Sequence, residues 1–177
     1  MIILGIDPGT ATTGFGIIRI PDDILGREFD YDIELIDYGN IFTPKEKNMP
    51  DRLGMLYRQL TDVIAKHTPD QIAVEMLFFG RNIKTAISVG QARGIVMLCA
   101  SQKQTPLSEY TGLQVKLMVA GSGKADKEQV HEGVRRFLGV DGGKRRKLKV
   151  SWKGGHLDDA TDAVAIAICH VLKMVAK

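Results

Sequence analysis

No stretch of this sequence approaches the ~18 consecutive apolar residues of a membrane span, and no basic region precedes the apolar run that opens it, so neither membrane insertion nor export is expected. Cysteine is almost as scarce. The two that occur, Cys99 and Cys169, lie in apolar, helix-like surroundings without metal-type spacing, which predicts buried free thiols in a reducing, cytoplasmic compartment and argues against a disulfide. Internal repeats and low-complexity linkers are absent too, and 177 residues suffice for one domain with a proper core but not for two large lobes. Net charge is small, +3 from 24 basic and 21 acidic residues, and says little about partners by itself. Its distribution says more. Residues 144–153 (KRRKLKVSWK) hold six basic residues and no acid, so subtracting those six from the 24 leaves 18 against 21 elsewhere. Gly142-Gly143 and Gly154-Gly155 bracket this stretch, which predicts a basic arm or hairpin inserted at about 142–155.

What is present is organised around the opening run. Met1 to Ile6 is continuously apolar and rich in β-branched residues, which fits a central strand buried on both faces. Asp7 ends that run and Pro8-Gly9 turns the chain, so its carboxylate is expected at the sheet edge, facing solvent. Thr13–Ile20 predicts a second strand in a hairpin with the first, and residues 33–42 a third. Pro50 opens a helix whose apolar residues recur at helical spacing up to the stop at Thr68-Pro69. Gln71–Glu75 reads as a fourth strand ending on an acid, as the first does, and Pro106–Tyr110 as a fifth. Helices are predicted over Asn82–Lys103, Leu113–Val119, Lys124–Leu138 with Gly139 as its stop, and Asp158–Met174, the last apolar around most of its circumference. Gly90 and Gly94 share one face of the second helix, where another backbone, from the sheet or from a second subunit, is expected to approach. The pattern is that of a mixed α/β domain with an antiparallel first trio of strands.

Four acids stand out by position: Asp7 and Glu75 at strand ends, and Asp159 with Asp162 three residues apart at the start of the last helix. If the first and fourth strands are parallel neighbours, Asp7 and Glu75 emerge side by side. Such a cluster repels itself unless a cation neutralises it, and hard oxygen ligands suit Mg²⁺, with Mn²⁺ able to substitute. Two ions about 4 Å apart could activate a water and stabilise the leaving oxygen of a phosphodiester, which predicts a nuclease. Taken singly, each acid has an ordinary reading. Acids in a helix's first turn favour the macrodipole, Asp158 is a plausible N-cap, and a strand-end Asp can simply bond its own turn.

The segments GIDPGTATTGFGII, VEMLFFGRN followed by SVGQARG, VKLMVAGSGKADKEQV and DATDAVAIAICH occur in order over most of the chain. In them the sequence resembles the RuvC-type Holliday-junction resolvases. That resemblance implies a ribonuclease-H-like fold, here a five-stranded mixed sheet flanked by helices, a homodimer, and divalent-metal cleavage of a four-way DNA junction. It assigns Asp7, Glu75, Asp159 and Asp162 as catalytic and metal-binding residues, and its D-A-x-D-A pattern selects Asp159 rather than Asp158 as the ligand. Lys116 and Lys127 match basic residues that serve DNA binding or catalysis. Phe78 matches an aromatic that contacts bases at the junction centre, where stacking is worth on the order of 1–3 kcal/mol per base. Arg81 and Lys84, close behind it, are counted with the expected DNA contacts, as are Lys144, Arg145, Arg146 and Lys147 of the basic insert. Branch-migration machinery is a possible further partner.

The insert and the loop from Pro21 to Asp32 are larger than the family pattern leads one to expect, and His156 stands just before the last helix. These departures bear on substrate preference, so a related ribonuclease-H-like nuclease acting more broadly on branched DNA or on RNA is the alternative. An actin- or sugar-kinase-like phosphate-binding protein also uses an Asp-x-Gly-Thr loop after a strand, but the chain has room for only one of its two lobes. A catalytically silent junction-binding module is disfavoured because all four acids are present.

Overall fold

The computed structural model describes residues 1–22, 33–76, 83–139 and 158–176, with the backbone alone at 83–85. Its strands are β1 (Ile2–Asp7), β2 (Thr12–Arg19), β3 (Glu34–Phe42), β4 (Gln71–Glu75) and β5 (Leu107–Tyr110). The helices are α1 (Met49–His67), α2 (Ile83–Gln102), α3 (Gly112–Ala120), α4 (Lys127–Phe137) and α5 (Asp158–Val175). The sheet runs β3-β2-β1-β4-β5, with β1 to β3 antiparallel, β4 parallel to β1 and β5 parallel to β4. The mixed five-stranded sheet is thus as expected, and β1 is its centre.

Local chemistry sets the helix ends. Asn48 caps α1 by accepting from the Asp51 N–H, Pro50 occupies the first turn, and Thr68 ends the helix in the left-handed region with its N–H on the Ile64 carbonyl. The helix α4 begins three residues later than its periodicity suggests, because Asp126 and Gln129 close a reciprocal capping box ahead of Lys127. Thr111 and Gln114 do the same for α3. Gly139 has a φ of 67°, as a residue that stops a helix often does.

Alternation along the strands divides the core in two. Ile3, Ile18 and Ala73 pack with α3, α4 and α5, whereas Leu4, Ile6, Ile17, Ile72 and Val74 pack with Leu56, Leu60 and Ile64 of α1 and Ala92 and Val96 of α2. Side chains two apart on a strand share a face, so Asp7 follows Ile3, Glu75 follows Ala73, and both carboxylates belong to the α5 side.

On that side α5 lies against bare backbone. A Cβ on Gly5 would sit 2.0 Å from the Ala163 carbonyl oxygen, and one on Gly14 would sit 2.0 Å from that of Asp159. Any side chain at either position would lift the helix off the sheet. Residues 160–161 and 163–171 of α5 are buried, in keeping with its apolar circumference. A hydrogen-bonded chain ties it to the sheet: Tyr110 Oη lies 2.7 Å from His170 Nδ1, and His170 Nε2 lies 2.6 Å from Gln71 Oε1. Cys99 and Cys169 are buried free thiols. No described helix is long and apolar enough to cross a membrane.

Candidate active site

Three facts of the fold converge on one point. The β1–β4 register pairs Ile6 with Val74, so Asp7 and Glu75 are the next residues on parallel neighbours. The β1–β2 register pairs Asp7 with Gly14, the glycine on which the Asp159 carbonyl rests. The first turn of α5 is therefore held directly over the end of β1. As a result, carboxylate oxygens of Asp7, Asp159 and Asp162 lie within 4.8 Å of one another. Glu75 stands outside that mutual trio but is hydrogen-bonded to Asp7.

The electrostatics follow from this crowding. Burial, then the charges of Glu75, Asp162 and Asp159, push the Asp7 carboxyl up to about 8. Glu75 is itself raised, by burial first and by Asp162 next, with the Asp7 hydrogen bond and Lys116 opposing. Asp159 is raised by burial, against the pull of Lys127. Asp7 does not face open solvent as its turn position suggests. It is half-buried, because α5 covers the end of the strand.

The adjacent acids Asp158 and Asp159 are separated by geometry. Asp159 joins the trio, while the exposed Asp158 carboxylate points to Lys127 Nζ at 3.4 Å. Asp158 is the first described residue of α5, and its side chain is engaged by a lysine. Lys127 also reaches Asp162 Oδ2 at 3.2 Å, and these two acids outweigh burial to raise its ammonium above the usual range. It is therefore held by acids and is not merely solvated helix surface. Lys116 and Lys127 share with Glu75 and Asp162 the rim of a cavity of about 260 Å³, floored by Val115, Val130, Ala165 and Ile166. Gly112 borders it as well, and a Cβ there would meet Glu75 Oε1 at 2.8 Å.

Several expected residues lie outside the described ones: Phe78, Arg81, Lys144, Arg145, Arg146, Lys147 and His156, together with the side chain of Lys84. Gly90 and Gly94 are described, and a Cβ on either would meet nothing within 4 Å among the described residues, so the sheet does not approach them. Sequence reasoning missed His131, whose Nε2 stands 3.5 Å from Asp162 Oδ1. The available signal was its spacing, four residues after Lys127 on one helix face. It also missed Gly5 and Gly14 as the seats of α5, although both fall in the opening motif.

Residues 3–170 match the family model described as crossover junction endodeoxyribonuclease RuvC. The chain belongs to the RuvC family. Among its relatives, the RuvC of Desulfitobacterium hafniense is 47% identical over 170 residues, covering 96% of this chain and 92% of that one. The RuvC of Syntrophomonas wolfei is 44% identical over 171 residues, covering 97% and 88%. Among solved structures, Thermus thermophilus RuvC in complex with a Holliday junction substrate aligns with a TM-score of 0.78 at 29% identity, over 98% of this chain and 94% of that one. The yeast mitochondrial Holliday junction resolvase Ydc2 shares the fold at a TM-score of 0.66 and 14% identity, over 97% and 79%.

Proposed function

We infer that this RuvC protein is a structure-specific endonuclease that resolves four-way DNA junctions by metal-dependent hydrolysis of phosphodiester bonds. The observation that carries the reading is the convergence of Asp7, Asp159 and Asp162 within 4.8 Å, at the end of the strand that opens the RuvC-matched region. Asp7, Glu75, Asp159 and Asp162 would hold the metal, two Mg²⁺ ions in this reading. The donor set fits: it is all oxygen, and it crowds charge that a cation would relieve, a reading the raised Asp7 carboxyl supports. When bound, divalent ions lower the pKa of a water nucleophile and stabilise charge on the leaving oxygen.

The chain's own groups have distinct tasks. Asp7 and Glu75 would hold the cation from two neighbouring strand ends, where burial raises both carboxyls. The helix α5 fixes the spacing of Asp159 and Asp162 because it cannot shift without clashing with β1 and β2. Lys127, anchored to Asp158 and Asp162, sets a positive charge beside the acids where a scissile phosphate would need one, and Lys116 does the same at Glu75. Phe78, Arg81, Lys84 and the basic residues Lys144, Arg145, Arg146 and Lys147 are proposed to engage the junction arms and centre.

The same reading takes residues 1–177 as one nuclease domain with a basic insert at about 142–155. It also takes the protein to act in the cytoplasm as a homodimer, with branch-migration machinery as a further partner, since paired incisions in a two-fold symmetric junction call for two sites. Ile87, Met97 and Leu98 are exposed on α2, and with the open Gly90 and Gly94 they form one stripe that a second copy would cover. Incubation with a synthetic four-way junction beside linear duplex, flap and RNA–DNA hybrid, with and without Mg²⁺, tests the function. Symmetric nicking of the junction alone, and only with metal, is the expected result. Equal cleavage of flap or hybrid would replace the reading with a broader nuclease.

A further inference from the structure

The helix α4 presents two side chains to α5, one turn apart. Lys127 Nζ meets Asp162 Oδ2 at 3.2 Å, and His131 Nε2 faces Asp162 Oδ1 at 3.5 Å. The two oxygens of one carboxylate are thus addressed separately. The lysine contact is an ion pair, and Lys127 is also shared with Asp158. The histidine contact is different in kind. Beyond that contact its buried Nε2 has no hydrogen-bond partner among the described residues, an arrangement that native proteins seldom leave uncompensated. A separation of 3.5 Å is long for a hydrogen bond but near the spacing of two donors on one ion, which is about 3 Å when octahedral bonds are about 2.1 Å.

We propose that His131 is a metal-ligating residue at the edge of this site, its Nε2 joining Asp162 Oδ1 on one divalent ion from outside the mutual trio of Asp7, Asp159 and Asp162. The inference rests on the metal-dependent reading above and goes beyond it in naming a ligand and a metal preference. Mg²⁺ gains little from imidazole, whereas Mn²⁺ and later first-row ions accept it readily, so this chain should favour Mn²⁺ over Mg²⁺. Packing supports the geometry. Val130 and Val134 bury the neighbouring face of α4, and this holds the helix, and His131 with it, in place against α5. The other described histidines are committed elsewhere: His67 to Asp37, and His170 to Tyr110 and Gln71.

Pulsed electron paramagnetic resonance of Mn²⁺ bound to the full-length protein reads a coordinated nitrogen directly. The parent protein and a His156→Gln control should both show ¹⁴N modulation from one imidazole. His131→Gln and His131→Asn should lose it while still binding Mn²⁺, with affinity by calorimetry lowered roughly tenfold or more and Mg²⁺ affinity changed less. Thermal melts of both variants should match the parent, which separates lost ligation from lost folding. Bound Mn²⁺ without nitrogen modulation, or modulation that survives in both His131 variants, overturns the proposal and leaves the metal-dependent reading intact. Failure of the parent to bind Mn²⁺ or Mg²⁺ at all, with Asp7→Asn no different, would overturn both.

Discussion

The two faces of the sheet are built by opposite means. Toward α1 and α2 the strands present Leu4, Ile6, Ile17, Ile72 and Val74, and helices stand off at the distance that such side chains require. Toward α5 the strands present Gly5, Gly14 and Gly16, and the helix descends onto the backbone itself. The first face gains stability from apolar volume. The second surrenders side-chain volume, and in return the peptide units of α5 and β2 fix each other with no soft rotamers between them. Short carboxylates such as Asp7 and Asp159 can meet only across a contact of that kind, which explains why every acid of the cluster lies on the glycine side.

The sharpest way to break this comparison is to remove a carboxylate from the close-packed face. Asp7→Asn or Asp159→Asn should reduce metal-dependent junction cleavage roughly a thousandfold or more, with junction binding largely kept. Asp158→Ala, one residue away but exposed and paired with Lys127, should keep most of the activity. Single-turnover cleavage with a parallel gel-shift assay checks both. The next effect is steric. Gly14→Ala would drive a methyl into the Asp159 carbonyl, costing about 1–3 kcal/mol of stability and, through displacement of the first turn of α5, roughly a hundredfold in cleavage. A variant that melts early yet cuts normally would show that the contact serves stability alone.

A third test uses protons in place of mutations. Because the folded Asp7 titrates at about 8 and an unfolded Asp near 3.8, the metal-free folded state binds the extra proton between those values. Its stability therefore falls as pH rises through that window. Melting temperature without metal should decline from pH 4 to pH 8 by roughly 3–10 °C on account of this group, and Asp7→Asn should flatten the decline. Added Mn²⁺ should raise the melting temperature more at pH 8 than at pH 5. The smallest effect belongs to the other face. Gly54 lies inside α1, and a Cβ there would meet only the Arg58 guanidinium at 3.6 Å, so Gly54→Ala should add about 0.5–1 kcal/mol of stability and leave cleavage unchanged. Loss of activity in that variant would mean that the two faces are coupled.

Much of this was legible in the sequence where local chemistry decides. The apolar run into Asp7, Pro50 at a helix start and Thr68-Pro69 at its end all announced elements that formed as expected. The echo of Asp7 in Glu75 pointed to their adjacency on the condition that the two strands are parallel neighbours, which they are. What escaped depends on partners distant in the chain. The depth of Asp7 is set by α5, and the fate of Asp158 by a lysine on α4. The start of α4 was misjudged by three residues because the Asp126–Gln129 box overrides the apolar spacing. His131 carried no motif, and only the packing of α4 on α5 makes it a neighbour of Asp162.

The acid cluster also has an order in time. Asp7 lies on β1 and Asp159 on α5, 152 positions apart (159 − 7), and synthesis runs from the first to the second. A ribosome that has released β1 to β4 holds a chain with Asp7 and Glu75 but without the helix that brings the other two carboxylates and buries the sheet face. Contacts of such long range form late, after the loop between them has closed. A nascent or C-terminally truncated chain thus cannot assemble the cluster, and the gene delivers no cutting activity to DNA until translation has passed α5 and the helix has docked on its two glycines.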